Sequence, residues 1–439
     1  MSRPLSVRSV PDHHPAKAPA ASGVSSSFAA LGLSPALCHP LARLGYERPT
    51  PIQAISIPAV LARRDLLARA QTGTGKTAAF ALPMLDRLLA PGEAPLRSRG
   101  PRGLVLVPTR ELALQVERAI KRYGAGANAR TAVIVGGLSM GRQVQALRQR
   151  VDIVVATPGR LLDHVERRTV DLSAIEILTL DEADRMLDIG FLPALRRLLA
   201  VVPRARQTLL FSATLPRAVM SLSSEMTRDP HHVDVGEQAV VPTVTHQVHP
   251  VSDQRKADLL ARVLTLEPSG QALVFCKTKR GSDRVGRHLD RIRINTAVIH
   301  GNKSQSARTR ALDAFRAGRV RVLVATDIAA RGLDIKELPL VVNYDLPVVA
   351  EDYVHRIGRT GRAGVAGRAV SLVSPADRGV LRDIQRLLQA DIERIALEGF
   401  EFSEDAHRPA VAAAAPRHRA PRPRRARRGF TGWRSRAGA

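Results

Sequence analysis

Short apolar runs recur along the chain, each too short for a membrane span and each separated from the next by a longer amphipathic stretch. In the first half they fall at 103–107 (GLVLV), 131–135 (TAVIV), 152–156 (DIVVA), 175–180 (IEILTL) and 207–211 (QTLLF). Runs of about five residues that are apolar on both faces read as strands buried on both sides, and helical periods between them predict a parallel, doubly wound sheet. Around 231–242 neither a helical nor a strand period is present. The alternation then restarts at 272–276 (ALVFC), 296–300 (TAVIH), 320–326 (VRVLVAT), 340–344 (LVVNY) and 368–373. The pattern predicts an α/β fold with two parallel-sheet domains joined by a short linker. The expected divisions are a disordered segment over 1–24, a first domain over 25–232, a linker over 233–244, a second domain over 245–402 and a tail over 403–439. In such sheets ligands collect at the carboxyl ends of the strands.

Composition adds a partner class. The 439 residues are 44% hydrophobic, enough for two cores, and carry a formal charge of +27. Residues 408–439 hold ten arginines and no acid, so +17 remains on the rest of the chain. A basic body as well as a basic tail points to nucleic acid or another polyanion. The two cysteines, Cys38 and Cys276, lie far apart without metal-ligand spacing and imply neither a disulfide framework nor a zinc site. No apolar run reaches the ~18 residues of a membrane helix, and the N-terminus lacks the apolar core of a secretory signal. A soluble, cytoplasmic protein is expected.

Two motifs carry chemistry. Ala70–Thr77 (AQTGTGKT) fits the phosphate-binding pattern G-x-x-x-x-G-K-[ST] with Ala70 in the first place. Gly73 and Gly75 permit a tight turn whose N–H groups face a phosphate chain at a helix N-terminus. Lys76 is then placed on the β- and γ-phosphates and the Thr77 hydroxyl on Mg²⁺. The second motif, Asp181-Glu182-Ala183-Asp184, closes the 175–180 run. A carboxylate at that place holds Mg²⁺, here Asp181, while Glu182 orients or deprotonates an attacking water. Taken alone, each admits a plainer reading: a strand-to-helix turn that binds nothing, and acids that merely begin a helix.

Together with their neighbours these motifs resemble the DEAD-box RNA helicase family over residues 28–373, closest to its bacterial RhlE-like branch. The resemblance implies two tandem RecA-like domains, ATP and Mg²⁺ as ligands, and RNA as partner. It aligns 45–53 (GYERPTPIQ) with the family's Q motif, so that Gln53 meets the adenine edge and Phe28 packs on the base. Ala70, Gln71, Thr72, Gly73, Thr74, Gly75, Lys76 and Thr77 surround the phosphates, and Asp334, in 325–335 (ATDIAARGLDI), meets the ribose. Arg110 in 108–113 (PTRELA), Gly137 in the Gly136-Gly137 pair, and Thr157 and Arg160 in 157–160 (TPGR) contact the RNA backbone. So do Thr278 in 274–279 (VFCKTK), Gly301, Arg308 and Thr326. Ser212 and Thr214 of the SAT element bond Asp184 and so link the ATP site to strand separation, with His355 a further coupling residue. In 355–362 (HRIGRTGR), Arg359 and Arg362 are arginine fingers that reach the γ-phosphate.

The implied activity is RNA-stimulated ATP hydrolysis coupled to local, non-processive unwinding of short duplexes or remodelling of ribonucleoproteins. Ribosomal precursors and degradation substrates are candidate RNAs. A non-catalytic RNA chaperone and a P-loop motor acting on DNA are the competing readings. With aromatics at 3% of the chain, the core has few stacking platforms, and contact through phosphates and 2′-hydroxyls is expected. The tail, with Phe430 and the single tryptophan Trp433, is read as a salt-sensitive RNA tether. Deleting 403–439 is expected to weaken RNA binding and flatten its dependence on salt; titrations at several ionic strengths check this, and an unchanged slope removes the tether.

Overall fold

Every run read as a strand from its apolar pattern forms one in the computed structural model, which describes residues 27–71, 73–90, 100–126, 128–235, 244–267, 270–330, 335, 338–361 and 367–400. The strands in chain order are β1 (Leu66–Arg69), β2 (Gly103–Leu106), β3 (Thr131–Ile134), β4 (Ile153–Ala156), β5 (Ile177–Leu180), β6 (Gln207–Ser212) and β7 (His231–Asp234). There follow β8 (Val244–Pro250), β9 (Ala272–Phe275), β10 (Thr296–Ile299), β11 (Val322–Ala325), β12 (Leu340–Asn343), β13 (Gly367–Val373) and β14 (Glu393–Arg394). They make two seven-stranded sheets in which every pairing is parallel. The first runs β3-β4-β2-β5-β6-β1-β7 and the second β10-β11-β9-β12-β13-β8-β14. The second order is the first with seven added to each strand, so one supersecondary plan is used twice.

Alternation along the strands splits each core in two. In the first sheet Leu66 and Ala68 of β1 face one side with Phe80, Val116 and Phe211. Leu67 faces the other with Leu161, Leu195 and Leu222. Helices Pro51–Leu61, Lys76–Leu88 and Arg110–Tyr123 cover the first face; Pro158–Glu166, Leu192–Val201 and Arg217–Met226 cover the second. This double burial is why the central strands read as unbroken apolar runs.

Four strands, β1, β7, β8 and β14, lie outside those runs. The stretch after 231, read as lacking any period, contains β7, which pairs along β1 from Leu66↔His231 to Arg69↔Asp234. As an edge strand it buries only Val233, so its ladder bonds rather than a hydrophobic run define it. β8 (VTHQVHP) lies between β13 and β14 despite its polar sequence. Its imidazoles find partners inside the domain: His246 Nδ1 lies 2.9 Å from Tyr353 Oη, and His249 Nδ1 2.8 Å from the Ile395 carbonyl.

The repeated plan gives Lys76 a counterpart. β1 leads to a helix whose first residue is Lys76, and β8 leads to Lys256–Leu266, whose first residue is Lys256. Lys256 is buried, with its ammonium 3.0 Å from Asp377, 3.2 Å from Asp253 and 3.9 Å from Asp345. In the second sheet carboxylates thus occupy the surroundings of the lysine. Burial tends to raise the Asp377 carboxyl, but the Ser374 amide and hydroxyl and Lys256 hold it below the usual carboxylate range.

Replacing Lys256 by Met is expected to lower stability by about 2 kcal/mol, the usual scale for a buried charged hydrogen bond, measured by denaturant unfolding. The depressed Asp377 pKa stabilises the fold above the unfolded value of ~3.9, and that contribution disappears as pH falls through the folded value. Asp377→Asn is accordingly expected to blunt acid destabilisation below about pH 4, seen as a smaller fall in unfolding midpoint than in wild type.

Candidate functional site

Three neighbouring strands, β5, β6 and β1, deliver their carboxyl ends to one place. After β1 the chain turns through Gly73 (φ 91°) and Gly75 (φ 96°), both in the left-handed region that favours glycine, and enters helix Lys76–Leu88. Thr74 Oγ1 donates to the Gln71 carbonyl at 2.8 Å, and the Ala70 amide donates to the Ser212 carbonyl at 2.9 Å, tying the loop to β6. Lys76 is buried and its Nζ donates to the Ala70 carbonyl at 2.9 Å. Thr72 lies outside the described residues.

Gln53 braces this turn. It is 1% exposed, its Oε1 accepts from the Thr50 amide at 2.9 Å, and its Nε2 donates to the Gly75 carbonyl at 3.2 Å. A Cβ on residue 75 would stand 2.4 Å from Gln53 Nε2, so only glycine fits. Phe28 was expected on an adenine base; it is 5% exposed and packs edge-on against Tyr46, with centroids 6.3 Å apart. Its ring belongs to the core beneath the site. Asp334, the ribose candidate, lies outside the described residues.

β5 ends in the acids. Glu182 adopts φ 56°, ψ 53°, left-handed for a non-glycine residue, and helix Ala183–Asp188 begins directly after it. This conformation costs roughly 1–2 kcal/mol and breaks the chain sharply between strand and helix. Asp181 is buried and accepts from the Glu182 amide at 3.0 Å. Burial pushes its carboxyl up to about 6; Lys76 opposes this, while the charges of Glu182 and Asp184 add to it. Asp184 donates its amide to Ser212 Oγ at 3.2 Å and accepts at Oδ2 from the Thr214 amide (3.0 Å) and hydroxyl (2.9 Å). Against the opposing effect of burial, Arg185, Lys76, His355 and Thr214 hold Asp184 below its ordinary range.

The second sheet closes the site from the other side. A cavity of about 370 Å³ is lined by Lys76, Thr77, Asp181 and Glu182 together with Gln305 and Arg359 from the second half. Buried contacts hold the halves together. Glu111 accepts from Gln305 Nε2 and Arg308 Nη2, each at 2.8 Å, and Arg185 Nη1 reaches Asp352 Oδ1 at 2.5 Å. His355, on the same helix as Asp352 (Ala350–Ile357), is half-buried beside Asp184; desolvation and Arg185 drive its pKa well down, against the opposing charges of Asp184 and Asp352. Arg362 lies outside the described residues.

The donor set fits a nucleoside triphosphate with a divalent cation. Loop amides, Lys76 and Arg359 are cations and donors for phosphate oxygens. The Asp181 carboxylate and the Thr77 hydroxyl are hard oxygen donors of the kind a divalent cation takes.

The proposed RNA contacts form a rim at the ends of β2, β3, β4, β9, β10 and β11. Arg110 lies across Gly136 and Gly137, and a Cβ on residue 137 would come within 1.9 Å of its Nη1. Thr157 precedes helix Pro158–Glu166, and Arg160 Nη1 donates to the Leu138 carbonyl at 3.0 Å. Thr278 Oγ1 caps helix Lys279–Arg291 by accepting from the Gly281 amide at 2.9 Å. Gly301 sits against Lys279, and Thr326 is buried behind β10, its amide on the Ile299 carbonyl. Arg308, expected to clamp a phosphate, is 7% exposed and paired with Glu111. Burial, Arg308 and Arg160 lower the Arg110 pKa, with Glu111 opposing.

Sequence reading missed several residues. Glu111 and Arg185 sat inside or beside the quoted motifs without a role, and Asp352 stands one helical turn before His355. Arg356 turns inward, bonding Asp327 through Nε (2.6 Å) and Nη2 (2.7 Å), with Asn343 Oδ1 at 3.0 Å and its guanidinium 4.9 Å over the Phe275 ring.

Residues 50–222 match the DEAD/DEAH box helicase family and residues 255–364 the helicase conserved C-terminal domain. The ATP-dependent RNA helicase DeaD of Mycobacterium tuberculosis (strain H37Rv) is 43% identical over 388 residues, 88% of this chain and 67% of that protein. Among solved structures, S. cerevisiae Dbp5 bound to RNA and ADP BeF3 superposes with a TM-score of 0.76 at 32% identity, covering 85% of this chain and 96% of that one. A substituted Dbp5 bound to a substituted Gle1 and IP6 gives 0.69 at 30%, over 86% and 96%. With both domain matches in order and this identity along most of its length, the chain belongs to the DEAD-box ATP-dependent RNA helicase family.

Proposed function

We propose that the protein couples ATP hydrolysis to local, non-processive opening of short RNA duplexes, using first and second bodies over 25–232 and 245–402. The observation that carries this reading is the shared cavity, where Lys76, Asp181 and Glu182 of one sheet meet Arg359 of the other. ATP is the substrate. Lys76 and the loop amides hold its phosphates, with Gln53 bracing the loop from below. Thr77 and Asp181 hold Mg²⁺, which when bound neutralises phosphate charge. Glu182, freed from the strand by its left-handed backbone, positions the attacking water and takes its proton. Arg359, with Arg362 beside it in sequence, offsets charge on the transferring group, an effect worth about 10³–10⁵ in rate in related chemistry.

Hydrolysis needs both bodies in contact, so whatever favours closure favours turnover. The rim around Arg110, Thr157, Arg160, Thr278, Gly301, Arg308 and Thr326 spans both bodies, so RNA on it supports the closed state. The superposition on Dbp5 bound to RNA and ADP BeF3 supports RNA and a nucleotide as joint ligands. Backbone contact makes the grip indifferent to sequence and able to tell RNA from DNA by its 2′-hydroxyls. Cytoplasmic ribosomal precursors or degradation substrates supply short duplexes of the required kind.

Steady-state ATPase with RNA, and with DNA of the same sequence, tests the reading: RNA is expected to stimulate and DNA not, and a rate indifferent to RNA refutes it. Glu182→Gln is expected to cut kcat by about 10²–10⁴ while RNA binding persists. In a double-mutant cycle on Arg185→Ala and Asp352→Ala, RNA-stimulated ATPase is expected to report a coupling of about 1.5 kcal/mol or more, with ATP affinity little changed. Additive losses from the two changes contradict a closing role for the pair.

A further inference from the structure

Helix Lys279–Arg291 starts at the RNA rim and carries a cationic face without ion-pair partners among the described residues. Gly281, Ser282, Val285, Gly286 and Leu289 turn inward, while Arg280, Arg284, Arg287 and Arg291 are all exposed. Their spacing of four, three and four puts the guanidiniums on one side. At 1.5 Å per residue the row is about 16 Å long. It is presented rigidly: a Cβ on residue 286 would lie 2.4 Å from Val298 Cγ2, so helix and β10 are in direct contact there.

Among exposed arginines elsewhere on the protein, Arg196 pairs with Glu225 and Arg197 with Glu166. Among the described residues, none of the four stripe arginines has an ion-pair partner. The nearby acids are otherwise engaged: Asp283 holds His300 (3.0 Å) and Lys303 (2.9 Å), and Asp258 lies 3.5 Å from His288. Asp290 is the one exposed acid on the helix, against exposed Lys277, Lys279 and Arg293 that extend the positive surface at both ends.

The stripe is continuous with the rim. Thr278 caps its first turn, and Lys279 Nζ donates to Asn302 Oδ1 at 2.8 Å beside Gly301. Helix 279–291 carries no aromatic residue, so it offers no stacking platform of the kind that holds splayed single strands. A straight row of cations without base contacts suits RNA whose bases are already paired, which proteins recognise by shape and phosphates. About five nucleotides at ~3.4 Å per step match its length.

We propose that Arg280, Arg284, Arg287 and Arg291 form a second RNA site that holds the phosphate backbone of a duplex flanking the single strand gripped at Thr278 and Gly301. The site keeps structured RNA attached beside the segment being opened. It rests on the RNA-helicase reading above and adds a preference for duplex-bearing RNA to it.

The full chain with R280Q, R284Q, R287Q and R291Q together tests this against wild type. Binding is measured to a short unstructured oligonucleotide and to the same oligonucleotide joined to a hairpin, across a salt series. Wild type is expected to favour the hairpin-bearing RNA. The variant is expected to lose that preference, with its salt slope for the hairpin RNA reduced by about three for four lost phosphate contacts. Its affinity for the short oligonucleotide and the ATPase that oligonucleotide stimulates are expected to stay at wild-type levels, and four lysines in the same places to restore the slope. Equal hairpin affinity in variant and wild type overturns the proposal, as does an equal loss for both RNAs. A wild-type ATPase that ignores the short oligonucleotide instead refutes the helicase reading, which separates the two failures.

Discussion

Negative charge gathered at the end of β5 is the constraint from which the rest follows. Asp181, Glu182 and Asp184 crowd one turn, all buried, and desolvation, aided by the neighbouring acids and opposed by Lys76, pushes the Asp181 carboxyl up to about 6. A site of this kind is completed from outside its own domain. The second sheet brings Arg359 to the same cavity, and Asp352 of its helix Ala350–Ile357 meets Arg185, the residue that follows the acids. Arg185 therefore serves three carboxylates at once, Asp184 and Asp188 within its domain and Asp352 across the cleft. Buried ion pairs contribute little net stability but lose a great deal when one partner is withdrawn. That asymmetry makes the contact between the sheets nearly all-or-none.

Duplication explains why two bodies suffice. The two sheets share one strand order, and each places a lysine at the first position of the helix after its β1-equivalent strand. Around Lys76 the loop leaves a cavity; around Lys256, Asp377, Asp253 and Asp345 already surround the ammonium. The same framework gives an open phosphate cradle once and an internally neutralised copy once. The second sheet is thereby released to supply cations to its twin.

How far the sequence discloses this depends on whether a feature is local. Strands buried on both faces were legible because most of their residues are apolar. β7 and β8 were not, since an edge strand needs only Val233 inside and β8 carries His246 and His249 bonded within the domain. The phosphate loop, the acids and the SAT hydroxyls were legible because each is a few residues performing chemistry at one strand end. Glu111, Gln305 and Asp352 act on residues roughly two hundred positions away, and no spacing encodes that. Helix Ala350–Ile357 shows the limit at single-residue scale. Arg356 lies in its last turn and points to Asp327, whereas Arg359, beyond Gly358, turns into the cavity. The run of arginines gives no sign of that reversal.

The arginine-rich rim ties the same charge logic to RNA. Arg110 can lie flat across the 136–137 turn only because residue 137 lacks a Cβ and holds φ at 73°. That placement brings it near Arg160 and Arg308, whose repulsion adds to burial in lowering the Arg110 pKa. Glu111 pairs with Arg308 and Asp163 with Arg160, so three guanidiniums face two carboxylates and the rim retains a positive field that spans both bodies. A phosphate backbone laid across it relieves the repulsion only where all three arginines stand together, which is the closed placement. Anion binding on the rim and assembly of the ATP cavity are therefore driven by the same approach of the two sheets, and coupling between them needs no further device.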